Sequence, residues 1–232
     1  MITIRHAEQR GTTNLGWLDS RHSFSFGRYH DPEHVGIGPL LVINDDRVAP
    51  GGGFPEHPHR DMEIISYVVD GALAHKDSAG NESVLRRGAV QRMTAGSGIR
   101  HSEYNGSSDE PVRFLQIWIA PEQSGLEPSY EDLEVSPHDT PNELREIASR
   151  SGNGARIAQD ASIHASVLEA GRSLTVAIGE DRRAWVQVVT GDLLVGDSKL
   201  SEGDGALVES EPTLDLSTSE GAEFLVFDLP GS

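Results

Sequence analysis

Three of the ten histidines stand where they could do chemistry together: His57-Pro58-His59, followed by Glu63, and then His101-Ser102-Glu103. In a β-strand, residues two apart project from the same face, so His57 pairs with His59 and His101 with Glu103. If the two strands meet, three imidazoles and a carboxylate, from Glu63 or Glu103, surround one point. Such a set suits a divalent first-row transition metal and leaves room for a water or a substrate oxygen. Calcium and magnesium are disfavoured, because they prefer all-oxygen ligation. An isolated His-x-His is a weak signal. Here, however, Gly51-Gly52-Gly53 precedes the first pair and Gly96-Ser97-Gly98 the second, turns that would set strand ends at the mouth of a barrel. The chain has no cysteine. That removes disulfides, thiolate nucleophiles, zinc fingers and iron–sulfur clusters, and leaves histidine and carboxylate as the strong metal ligands.

The elements that would position these residues read as strands. Leu40-Leu41-Val42-Ile43, Ile64 to Val69, Phe114 to Ile119, Trp185 to Val189 and Phe224 to Phe227 are short apolar, β-branched runs bounded by turn signals such as Asp70-Gly71 and Thr190-Gly191. The turns at Asp70-Gly71 and Ala79-Gly80-Asn81 would fold the second histidine strand back beside the first. Only Pro141 to Ser149 carries a short helical pattern, and it alternates well enough to be a strand instead. The class is all-β. The halves also resemble each other: Ile65 to Leu73 aligns with Val186 to Leu193, matching Gly71 to Gly191, and each half ends in an aromatic-aliphatic strand and a proline. A repeat of this length is a duplicated domain rather than a solenoid. The polar, proline-containing stretch Glu134 to Asn142 predicts the boundary, giving 1–135 and 136–232 as two small β-barrels or sandwiches in tandem.

Composition narrows the partners. The 37 acidic residues against 19 Lys and Arg give a formal net charge of −18. With no cationic run, direct nucleic-acid binding and anionic membrane surfaces are not expected. No apolar stretch approaches a membrane span, and the opening residues lack the apolar core of a secretory signal, so a cytoplasmic protein is expected. No Gly-x-Ser-x-Gly elbow supports serine catalysis. Gly36-x-Gly38 reads as a turn rather than a nucleotide loop.

Two extended motifs then carry a family resemblance. Gly51, His57-x-His59, Glu63 and Gly71 resemble the first cupin motif, with seven residues rather than six between Glu63 and Gly71. The second motif is altered, Gly96-x-Gly98-Ile99-Arg100-His101-Ser102-Glu103 with Asn105 beyond, and this form resembles the pirin family. So do Gly16-Trp17-Leu18-Asp19-Ser20, Ser23-Phe24-Ser25-Phe26, Asp31-Pro32, Asn44-Asp45-Asp46 and His57 through Glu63. The match is dense in the first half, and within the family it is most similar to the bacterial YhhW-type bicupins. The resemblance implies two tandem jelly-roll barrels, with the metal in 1–135 and none in 136–232. It also implies that the carboxylate ligand comes from the second motif, which makes the set His57, His59, His101 and Glu103. Strand geometry leans the same way, since Glu103 lies about 6.6 Å along the strand from His101 on the same face. Glu63 then orients an imidazole or is a plain surface acid.

The resemblance further implies a quercetin 2,3-dioxygenase-type activity on a flavonol or a related enolic or catechol substrate, with dioxygen. Glu103 would be the base for the flavonol hydroxyl. Iron is the expected ion, and manganese, nickel, copper, cobalt or zinc would also be tolerated by such ligands. The alternatives are a metal or redox sensor acting through a protein partner, as family members in animals are thought to do, and a structural bicupin. Trp17, Phe24, Phe26, Tyr29 and Phe54 are candidate pocket lining. His22, His30 and His34 read as solvated loop residues, with pocket lining as the alternative, and His164 as an ordinary strand histidine.

Overall fold

The computed structural model describes residues 1–231. The described residues form two compact units. One comprises 11–135 with 155–159, and the other 1–10, 136–154 and 160–232. Two segments thus depart from a single cut at 135/136, and hydrogen bonding gives the reason. Ile2–Arg5 pairs antiparallel with Gly205–Glu209, while Gln159 donates to the Ala120 carbonyl and Ala158 to the Glu63 carboxylate.

In the unit carrying the histidines, the large antiparallel sheet runs Ser129–Glu134, Ala89–Thr94, Glu63–Asp70, Val112–Ile119, Leu40–Val48, Leu18–His22 and Gly11–Asn14. A smaller sheet runs Gly53–His59, Ile99–Asn105, Ala72–Asp77 and Glu82–Arg86. Val68, Val112, Phe114, Leu18 and Val48 from the first sheet pack against Leu73 and Leu85 from the second, so the two sheets close on one apolar core. The same order recurs in the other unit. Ile2–Arg5, Gly205–Glu209, Arg182–Gly191, Ala222–Pro230, Ser162–Leu168 and Arg145–Ser149 make its large sheet, and Ser173–Ala177, Thr213–Ser217, Leu193–Val195 and Ser198–Leu200 its small one. The chain is an all-β bicupin built on a duplicated plan.

The turns show the duplication at atomic scale. Gly71 has φ +80° and a Cβ there would stand 2.5 Å from the Pro111 carbonyl oxygen; Gly191 has φ +78° and would meet the Gly221 oxygen at 2.2 Å. Both hairpins therefore require glycine for conformation and for space. The segment with the helical pattern, Pro141 to Ser149, forms the strand Arg145–Ser149, bulged against Ser162–Leu168. Asn142 at φ 68° turns the chain off any helical path before the alternation of the following residues takes over. Among the described residues, no helix is long and apolar enough to cross a membrane.

Candidate metal centre

The strands Gly53–His59 and Ile99–Asn105 are neighbours, and their register sets His101 directly opposite His57 and Ile99 opposite His59. Period-two alternation then brings three imidazoles to one place. One nitrogen from each of His57, His59 and His101 lies within 4.8 Å of the other two. His57 Nδ1 donates to the Pro55 carbonyl at 2.8 Å, which leaves its Nε2 as a lone pair 3.1 Å from His101 Nε2. With metal–nitrogen bonds of about 2.1 Å, two nitrogens at right angles stand about 3 Å apart, so the donor set fits a transition metal. Charge agrees with geometry. Burial, helped by the neighbouring His101 and His57, lowers His59 to about 4. Burial with His57 and His75 lowers His101 to about 3. Both rings are neutral at physiological pH, the state that ligates.

The loop before His101 is held open by glycine. Gly96 has φ +46°, and a Cβ there would sit 2.0 Å from the Leu126 carbonyl oxygen. After His101 the ladder is bulged, so Glu103 falls opposite Phe54 rather than opposite Pro55. Its carboxylate is buried, accepting from the Ser66 hydroxyl at 3.0 Å and the Gln116 amide at 2.8 Å. Glu103 groups closely with His101 and His75, while His57, His59 and His101 form a group of their own.

His75, which motif spacing does not single out, lies behind His101. Its Nδ1 receives the Gln91 amide at 3.1 Å and stands 3.5 Å from His101 Nδ1; its Nε2 faces Asp77 at 3.4 Å. Burial works against ionisation of Asp77, yet hydrogen bonds from Asn81, His75 and Ala79 outweigh it and hold the carboxylate below its usual range. Asp77 thus accepts from His75 Nε2–H, and the single lone pair on His75 Nδ1 is shared between the Gln91 amide at 3.1 Å and, more distantly, His101 Nδ1–H at 3.5 Å. That arrangement fixes His101 with its Nε2 lone pair toward the other imidazoles. Tyr130 stacks on His75 at 4.7 Å. Glu63 is a correction: it neither orients an imidazole nor lies on the surface. It is fully buried and accepts from the Thr94 hydroxyl at 2.7 Å and the Ala158 amide at 3.1 Å.

A pocket opens beside the imidazoles, with about 490 Å³ of atom-free space including the open solvent at its mouth. Phe26, Phe54 and Trp118 supply aromatic walls, and His59 meets the Trp118 ring edge-on at 5.0 Å. Of the other expected aromatics, Trp17 packs on Phe54 at 5.3 Å, Phe24 is buried, and Tyr29 lies beside His22. His22 is no solvated loop residue. It ends the strand Leu18–His22, is 1% exposed and lines the pocket, bonded to Asn44 Oδ1 at 2.7 Å and Thr13 Oγ1 at 2.9 Å. His34 instead sits in a loop against Asp31, His30 is exposed, and His164 is half-buried near Glu146. Asp46 also faces this pocket. Burial, opposed by a hydrogen bond from Ser20 and reinforced by the charges of Asp45 and Glu103, pushes it up to about 7.

Residues 3–119 match the family model described as Pirin. The chain belongs to the pirin family. In this pirin, residues 146–229 also match the model of the quercetinase C-terminal cupin domain. It is 41% identical over 230 residues, 99% of both chains, to the quercetin 2,3-dioxygenase of Escherichia coli K12. It is also 41% identical over 232 residues, 99% of this chain and all of the relative, to a putative quercetin 2,3-dioxygenase of Pseudomonas aeruginosa. Among solved structures, the bacterial pirin YhhW from E. coli in complex with nickel(II) superposes with a TM-score of 0.95 at 39% identity, with both chains fully covered.

Proposed function

We propose that this pirin is a metal-dependent dioxygenase of the quercetin 2,3-dioxygenase type, acting with dioxygen on a flavonol or a related enolic or catechol compound. The observation that carries the reading is the convergence of three imidazoles beside an aromatic-walled pocket, in a chain alike over its whole length to the E. coli enzyme of that name. His57, His59, His101 and Glu103 would hold the metal. Iron is the ion we propose for the cell, and the nickel in the YhhW complex shows that the relative takes another divalent ion. When bound, the metal supplies a Lewis acid and an electron path between substrate and dioxygen.

The protein's own groups do the rest. Glu103 is the base we assign to the substrate hydroxyl beside the imidazoles, and the hydrogen bonds from Ser66 and Gln116 aim its carboxylate. Phe26, Phe54 and Trp118 hold a flat ring system and keep water from it. The chemistry belongs to the unit expected as 1–135. In the repeat expected as 136–232, Leu174, Val176, Leu214 and Leu216 face the core from the strands equivalent to those bearing the histidines, which supports a cupin domain without metal. A cytoplasmic location completes the reading. The test is quercetin consumption by metal-free protein reloaded with each divalent ion, paired with elemental analysis. Metal-dependent turnover that disappears in His101→Ala is expected. Stoichiometric metal with no turnover under any loading sinks the reading.

A further inference from the structure

One wall of the pocket is formed by Gly11–Asn14, Leu18–His22 and Leu40–Val48, and on it Thr13, Ser20, His22, Asn44 and Asp46 stand together. Thr13, His22 and Asn44 are engaged with one another. Asp46 differs. It is 3% exposed, the Ser20 hydroxyl bonds its carboxyl group, and its Oδ1 has no hydrogen-bond partner. On the neighbouring strand Val112–Ile119, Trp118 also lines the pocket, and its indole Nε1 is likewise buried without a partner. Register places Asp46 beside Phe114 and Val42 beside Trp118. The two unmatched atoms are therefore borne by residues four steps apart, roughly 13 Å along the strands.

Buried polar atoms are normally paired, and leaving one unpaired is costly. Two in one aromatic-walled cavity match a flat polycyclic ligand that carries more than one polar group. We propose that Asp46 is a specificity-determining residue that reads a substrate hydroxyl other than the one beside the three imidazoles. The pocket would thereby select a polyhydroxylated aromatic over one that carries only the hydroxyl beside the imidazoles. The proposal rests on the flavonol reading above. Either protonation state of Asp46 serves it, since a carboxylate accepts from a phenolic hydroxyl and a carboxylic acid donates to its oxygen.

The test is anaerobic titration of nickel-loaded protein with quercetin, hydroxylated on both outer rings, and with 3-hydroxyflavone, which carries the central-ring hydroxyl alone. Metal content is measured alongside. Wild-type protein is expected to bind quercetin about tenfold or more tightly than 3-hydroxyflavone, because a site built to bond a hydroxyl discriminates strongly against its absence. Asp46→Ala should bring the two ligands within about twofold by weakening quercetin alone, the signature of a pairwise interaction rather than of general damage. Asp46→Asn, which keeps the shape and an amide oxygen, should fall between. A wild type without the preference, a preference that survives both substitutions, or equal loss for both ligands in both variants overturns the proposal. Aerobic ring opening is read separately. The expected binding pattern without ring opening retires the dioxygenase reading and leaves Asp46 assigned. Quercetin turnover with a preference indifferent to both variants does the reverse.

Discussion

Replacing Asp46 by asparagine should make the protein more stable at alkaline pH and leave it unchanged at acid pH. The carboxyl group titrates near the ordinary aspartate value of 3.8 in the unfolded chain and at about 7 in the folded protein, with burial the largest cause. Between those values the native state keeps a proton that the unfolded chain has released, so the wild-type protein loses stability as pH rises from about 4 to about 7. The interval is roughly three pH units at about 1.4 kcal/mol each, or about 4 kcal/mol as an upper bound. An asparagine side chain carries no such proton and escapes the loss. For a chain of this length the difference corresponds to a Tm gain on the order of 10 °C at pH 8, shrinking toward zero at pH 4. Differential scanning calorimetry of the metal-free proteins at pH 4, 6 and 8 measures it. His59 and His101, both lowered, titrate in both proteins and cancel from the comparison. A Tm difference that does not change with pH, or an asparagine variant less stable than wild type at pH 8, would refute the reasoning.

Other outcomes follow from the same geometry. His101→Ala removes the nitrogen that meets His57 Nε2 at 3.1 Å, and bound metal by elemental analysis should fall from about one ion per chain to near zero. His75→Phe keeps a ring against Tyr130 but deprives His101 of its partner, and chelator competition should show metal affinity about 10- to 100-fold lower. Unchanged affinity would dismiss the relay through Asp77. Glu103→Gln should retain part of the metal and lose turnover, and a glutamine variant as active as wild type would remove Glu103 as the base. Gly96→Ala, with its Cβ driven onto the Leu126 carbonyl at φ +46°, should cost about 1–3 kcal/mol in chemical denaturation.

The histidines were legible because strand periodicity is simple arithmetic: His-x-His and His-x-Glu each mark one face, and a hairpin supplies the rest. What local pattern could not supply was the bulge after His101. It is a property of the pairing between two strands, and it sets Glu103 opposite Phe54, in a group with His75 and His101 that shares His101 with the group made by His57, His59 and His101. The pocket's polar wall was hidden for a different reason. Asn44-Asp45-Asp46 has the composition of a turn after the run Leu40 to Ile43, yet the strand continues to Val48. Asn44 and Asp46 turn inward, while Asp45 is tied by Arg113 through two bonds of 2.9 Å. Val48, apolar and in phase with Leu40, Val42, Asn44 and Asp46, was the available signal, masked by residues that usually punctuate turns. His75-Lys76-Asp77 held a similar clue, a same-face His-x-Asp pair in a predicted hairpin. Glu63 escaped because its partners, Thr94 and Ala158, are distant in sequence.

The pairing of Ile2–Arg5 with Gly205–Glu209 bears on how the molecule is made. Closing that ladder joins segments roughly 200 residues apart, a loop whose closure entropy is about 5 kcal/mol before any contact offsets it. Such non-local pairing slows folding. During synthesis the unit bearing the histidines emerges first, with most of its strands in one stretch, whereas the other cannot complete its large sheet until Gly205–Glu209 has left the ribosome. Until then the strand Ile2–Arg5 has no partner. The two repeats are alike in plan and unequal in timing, so the histidine-bearing unit is expected to reach its native packing while the second is still being translated.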